Sequence, residues 1–142
     1  GADHAINYRT DDFVAAAKAA TDGKGVDLIL DMVGGDYIDR NYETAADQGR
    51  IVQIAFLNGP KATVNFSRLM LKRLVHTGST LRPRTVAEKA AIAAELQARV
   101  WPLLEAGRCK PLINATFPLA EAAEAHRLME SSSHIGKIVL TV

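Results

Sequence analysis

Three apolar segments, each running into a loop of small residues, constrain this chain more than anything else in it. They occupy residues 26–35 (VDLILDMVGG), 50–59 (RIVQIAFLNG) and 74–81 (LVHTGSTL). Strands buried on both faces read as near-continuous apolar runs, as residues 28–30 and 51–52 do, rather than as strict alternation. In open α/β sheets ligands bind beyond the carboxyl ends of such strands. Loops of Gly, Ala, Ser and Thr there let a flat, extended ligand approach backbone N–H groups. The pattern points to a dinucleotide or a similar ligand, although no glycine-rich phosphate loop accompanies it.

The spacing of elements supports a parallel sheet. Residues 4–8 read as a short strand, and Asp11 or Asp12 caps a helix over 13–20 that the glycines at 23 and 25 end. A strand over 26–32, a helix over 37–46 closed by Gly49, and a strand over 50–55 follow. Strand and helix alternating through short connections is the signature of crossover units. Beyond Pro60 the pattern loosens into an extended piece (62–65), a helix (67–74) and a strand (75–80). Thr85 and Glu88 form a capping box for a helix over 90–104, kinked or re-initiated near Pro102 and stopped at Gly107. The last third reads as a strand (110–117), a helix (118–131) with Leu119, Ala122, Ala123, His126 and Met129 on one stripe, and a strand (137–142). The chain begins at Gly1 on a strand-like segment, as expected of a piece cut from something longer or of a proteolysed sample.

Composition excludes several classes of function. The net charge of +1 leaves no excess of cations to neutralise phosphates, which argues against nucleic-acid or acidic-lipid partners. No apolar run approaches the ~20 residues of a membrane span. Cys109 is the single cysteine, so neither an internal disulfide nor a thiolate metal cluster can form, and a cytoplasmic protein is expected. The histidines at 4, 76, 126 and 134 lack the spacing of a metal site, and His126 reads as a packed residue.

Three local features carry possible chemistry. The GKG at 23–25 is not a phosphate-binding fingerprint, because it precedes a strand and Leu28 stands where a third glycine is needed. Asp31, near a strand end, either takes part in binding or accepts hydrogen bonds from loop N–H groups and holds the crevice open. Tyr8, beside Arg9, is either a surface tyrosine or an aromatic face suited to an adenine ring or ribose phosphate. No acid, base or metal ligand for catalysis is nominated.

The segments AINYR (5–9), GKGVDLILDMVGG (23–35) and GRIVQIAFLNG (49–59) resemble the medium-chain dehydrogenase/reductase superfamily. GSTLR (78–82), VWPLL (100–104), FPL (117–119), EAH (124–126) and GKIVL (136–140) resemble its NADPH:quinone oxidoreductase branch. The resemblance implies an α/β fold: a Rossmann-like parallel sheet flanked by helices, incomplete because the first βαβ unit is missing. Residues 1–108 would be the later part of the cofactor domain. Residues 109–142 would return into a GroES-like catalytic domain whose remainder lies upstream.

The same resemblance implies the site. Tyr8 matches a position near the adenosine ribose phosphate. Gly34, in the loop after the strand over 26–33, lies beside the cofactor and is followed by Tyr37. Ile54, Ala55, Phe56 and Leu57 match the loop passing the nicotinamide, and Ser79, Thr80 and Leu81 the segment whose backbone meets the nicotinamide amide. NADPH is implied as cofactor, with hydride transfer to a quinone or another electrophilic alkene or carbonyl, without zinc. A homodimer through the strand over 75–80 is expected. Two other readings stay open: a non-enzymatic α/β dimerising module, and an enoyl-reductase or alkene-reductase domain of the same superfamily.

Overall fold

The computed structural model describes residues 2–142, which fall into two compact units, divided between Pro83 and Arg84. The first unit holds α1 (Phe13–Ala20), β1 (Val26–Asp31), α2 (Tyr37–Thr44), β2 (Ala45–Gln53), α3 (Phe66–Leu71) and β3 (Val75–Gly78). Its sheet has the order β1-β2-β3, with every neighbour parallel. The expected α/β fold, a parallel sheet flanked by helices, is the one observed. Asp31, Gln53 and Gly78 pair across the sheet in one row, so all three strands end together.

The local chemistry explains the elements. The Asp12 carboxylate accepts from the Val14 N–H and starts α1. The helix closes where the Gly23 N–H returns to the Lys18 carbonyl, with Asp22 left-handed before it. One face of the sheet packs under α2, where Ile38, Tyr42, Ala45, Ile51 and Leu74 form the core and Ile29, Val64 and Leu69 flank it. The Lys72 ammonium donates to the carbonyls of Tyr42, Glu43 and Ala45, satisfying the end of α2. Ion pairs Lys18–Glu43 and Arg68–Asp39 tie the helices together. The four side chains are 32–41% exposed, so each pair contributes at most ~1 kcal/mol.

Several sequence expectations change. Residues 4–8 form no strand. The Asn7 side chain accepts from the Arg9 N–H and its carbonyl from Asp11, so a turn captures Tyr8 before any ladder forms. The second helix ends at Thr44 rather than at 46. Ala45 turns extended and pairs with Val26, and the register then jumps so that Leu28 meets Arg50. The apolar run in β1 is not buried on both faces. Ile29 packs inward, whereas Leu28, Leu30 and Met32 are 62%, 61% and 47% exposed. Alternation of side chains across the strand accounts for the split, since α2 covers one face of β1 only.

The second unit holds α4 (Val86–Arg99), α5 (Trp101–Glu105), β4 (Ile113–Pro118), a 3₁₀ turn (Leu119–Glu121), α6 (Ala122–Glu130) and β5 (Lys137–Thr141). The capping box at Thr85 and Glu88 forms as expected. Of the kink or re-initiation expected near Pro102, re-initiation is observed, as two helices that break at Val100, and the helix over 118–131 opens with a 3₁₀ turn. β4 and β5 pair in parallel. In α6 it is Ala125 that is buried, and His126, read as packed, is exposed. The 108/109 boundary falls within this unit, between α5 and β4.

Tyr42 and His76 link α2 to β3 through a 2.8 Å bond between the phenol oxygen and Nδ1, with the rings edge-on. Burial holds the His76 imidazole below its ordinary value of 6.5, against a smaller opposing pull from Asp31. The unfolded chain therefore binds the proton first as pH falls, and stability declines below about pH 6.5. Thermal unfolding should show a falling midpoint from pH 7 toward 5, and His76→Gln should flatten that slope. An equal slope in the variant would contradict the assignment.

Candidate functional site

The row of strand ends is organised by Asp31. Its carboxylate is buried and accepts from the N–H groups of Val33 (2.6 Å) and Gly34 (3.1 Å) and from the Asn41 amide (3.0 Å). Of the two roles open to Asp31, the structure displays the bracing one. The loop after β2 is laced onto the loop after β1. Ile54 donates to Asp31 O, Leu57 to Met32 O, Asn58 to Val33 O, and Gly35 to Gly59 O, at 2.7–3.1 Å. The Asn58 amide adds a bond to Asp36. β3 joins the row through Ser79 N–H to Gln53 O at 3.0 Å.

Gly34 sits buried where the two loops cross, with a left-handed φ of +69°. A Cβ there would stand 2.7 Å from the Phe56 ring and 2.8 Å from Gly59 O. Glycine satisfies both the left-handed backbone and the close crossing.

Two clefts open at these ends. The first, about 380 Å³, is lined by Gln53, Ile54, Ala55, Phe56, Gly78, Ser79 and Thr80. It gathers five of the residues that the resemblance nominated. Its lining offers apolar side chains, hydroxyls, one amide and backbone, with no carboxylate, imidazole or amine. The second, about 550 Å³, is lined by Tyr8, Phe13, Met32, Val33, Tyr37, Leu57 and Asn58. It gathers three more. Leu81 is exposed and lines neither cleft, and Gly34 lies in the loop crossing.

Sequence reasoning missed Gln53 and Phe13. Phe13 reads as the first apolar residue of a helix, yet it stacks on Tyr37 with ring centres 5.1 Å apart. The Arg40 guanidinium lies 4.2 Å from the Phe13 ring centre and is held by Asp12. The cation stacked beside this aromatic wall is thus Arg40, which is not the arginine (Arg9) expected from its place next to Tyr8. The available signal was the helical spacing of Tyr37 and Arg40, three apart on one face. Among the described residues, no three of His, Cys, Asp and Glu come together in a way that would hold a metal ion.

Removing the Asp31 carboxylate leaves three donors without an acceptor, two of them buried. Asp31→Ala should therefore destabilise the protein by about 3 kcal/mol or more in denaturant unfolding. Gly34→Ala should lose about 2 kcal/mol through backbone strain and the Phe56 clash. Wild-type stability in both variants would contradict this account of the loop crossing.

The zinc-binding dehydrogenase family profile matches residues 1–140. A highly reducing polyketide synthase of Eupenicillium brefeldianum is 35% identical over 145 residues, covering 99% of this chain and 6% of the synthase. A lovastatin diketide synthase of Aspergillus terreus is 32% identical over 146 residues, with the same coverage of each. Among solved structures, an NAD-dependent alcohol dehydrogenase matches with a TM-score of 0.79 and 32% identity, over 100% of this chain and 38% of that one. A mycobacterial quinone oxidoreductase matches with a TM-score of 0.77 and 27% identity, over 100% and 44%. A 2-haloacrylate reductase gives 0.74 and 26%, also over 100% and 44%. The chain thus spans a small fraction of the synthases and less than half of the solved enzymes it matches. The chain belongs to the zinc-binding dehydrogenase family, within the medium-chain dehydrogenase/reductase superfamily.

Proposed function

We propose that this chain is part of a nicotinamide-dependent enoyl reductase, one that saturates an electron-poor carbon–carbon double bond. The observation that carries the cofactor is the uncharged cleft beyond the aligned ends of β2 and β3. Ile54, Ala55 and Phe56 would form the wall against the nicotinamide ring, and the backbone of Ser79, Thr80 and Leu81 would face its amide. Tyr8, Tyr37 and Leu57, in the aromatic cleft, would serve the adenosine side, with Gly34 at the crossing between them. NADPH is the cofactor we assign. Residues 1–108 would belong to the cofactor domain and 109–142 to the catalytic domain, in a cytoplasmic protein that pairs through β3.

One sequence relative is named as a highly reducing polyketide synthase, another as a lovastatin diketide synthase, and one solved relative as a reductase of a haloacrylate, itself an activated alkene. These favour an enoyl acceptor over a quinone. The quinone reading is second, supported by the solved quinone oxidoreductase. When bound, the cofactor supplies hydride to the β-carbon of the unsaturated acyl group, and a proton completes the α-carbon. The apolar wall would exclude water and orient the ring. Among the described residues that line that cleft there is no carboxylate, imidazole or amine, so the proton would come from another group or from solvent. The family description carries zinc, but no set of ligands among the described residues of this chain fits one.

The test is a comparison of acceptors in the full-length protein with NADPH. A crotonyl thioester should be reduced with kcat/KM at least about tenfold above that for p-benzoquinone. The reverse order would favour the quinone reading, and no NADPH oxidation with either would contradict both. The 142-residue chain by itself has no G-x-G-x-x-G turn for a pyrophosphate. It should bind NADPH weakly or not at all, and a dissociation constant of about 10 µM or lower would contradict that.

A further inference from the structure

Gln53, the last residue of β2, stands between Asp31 of β1 and Gly78 of β3. It is only 7% exposed. Its side-chain amide nitrogen donates to Asp31 O at 3.2 Å and to Ala55 O at 2.6 Å, while the backbone carbonyl of Gln53 accepts from the Ser79 N–H. Both neighbours of the amide nitrogen are acceptors, which fixes the amide orientation, since a flip would set Oε1 against two carbonyl oxygens. In that orientation Oε1 is buried without a partner. A buried acceptor left unpaired is destabilising, so an apolar side chain would serve better if this position only filled space. What the amide supplies is a clamp across the turn that leads from β2 into the cleft wall.

We propose that Gln53 is a positioning residue. Its amide holds Ala55 against the end of β1 and so sets the wall formed by Ile54 and Phe56, against which the nicotinamide ring lies. Gln53 acts through the Asp31 and Ala55 carbonyls. The inference rests on the assignment of this cleft to the nicotinamide. It extends that assignment by naming the residue that shapes the wall.

Two variants of the full-length protein test it. Gln53→Met keeps the volume and removes both donors. It should fold with wild-type circular dichroism, raise the NADPH dissociation constant about tenfold, and speed amide exchange at residues 54–57. Gln53→Glu places a carboxyl among carbonyl oxygens, where only the protonated form can donate. Its dissociation constant, taken as a ratio to wild type, should fall as pH is lowered from 8 to 6. A merely structural role would not produce that pH dependence. Unchanged affinity and exchange in Gln53→Met would overturn the proposal. If Gln53→Met does not fold, a Gln53→Glu ratio constant with pH overturns it instead. Wild-type protein that binds neither NADPH nor NADH would overturn the assignment of the cleft itself, before any variant is made.

Discussion

A buried carboxylate with three N–H donors is the interaction on which the first unit depends. Asp31 ends β1, and bonds of 2.6–3.1 Å to Val33, Gly34 and Asn41 turn the chain from strand into helix. Hydrogen bonds to a charged acceptor are stronger than neutral ones, and burial strengthens them further. Through Asn41 the same carboxylate fixes α2, whose Ile38 and Tyr42 supply much of the core. Through the Val33 and Gly34 N–H groups it fixes the loop onto which the loop after β2 is laced. Once these two loops are held together, the clefts at the strand ends have walls.

The strand ends were legible because short apolar runs bounded by glycine have few alternatives. Residues 28–31, 50–53 and 75–78 fall into ladders close to where the pattern put them. Asp31 was legible in position, and one of its two possible roles is now visible in its bonds. Tyr8 was misplaced, because an Asn two residues before Arg9 builds a turn from its own side chain, and apolar periodicity carries no trace of that. The start of β2 at Ala45 was hidden by a register jump that depends on pairing with Val26. Gln53 was invisible, since a polar residue at a strand end reads as solvated until the carbonyls around it are seen.

Burial was the least legible property. Leu28 and Leu30 look like core from their neighbours, yet their face of β1 is open while α2 covers the other. The same holds for the Ala-rich α4, where Ile92 and Leu96 are 39% and 49% exposed. Hydrophobic runs report that a surface needs a partner, and the partner can lie anywhere in a longer protein. The family match over residues 1–140, against 6% of the length of the synthases it resembles, is consistent with these open faces.

In the proposed reading, the ends of β2 and β3 form the wall against which a nicotinamide lies. A crystal structure of the full-length protein with NADPH tests this most directly. The ring should lie in van der Waals contact with residues 54–56, and its amide within hydrogen-bond distance of backbone atoms of residues 79–81. A nicotinamide bound elsewhere, with the 380 Å³ cleft occupied by solvent or by another part of the protein, would contradict it.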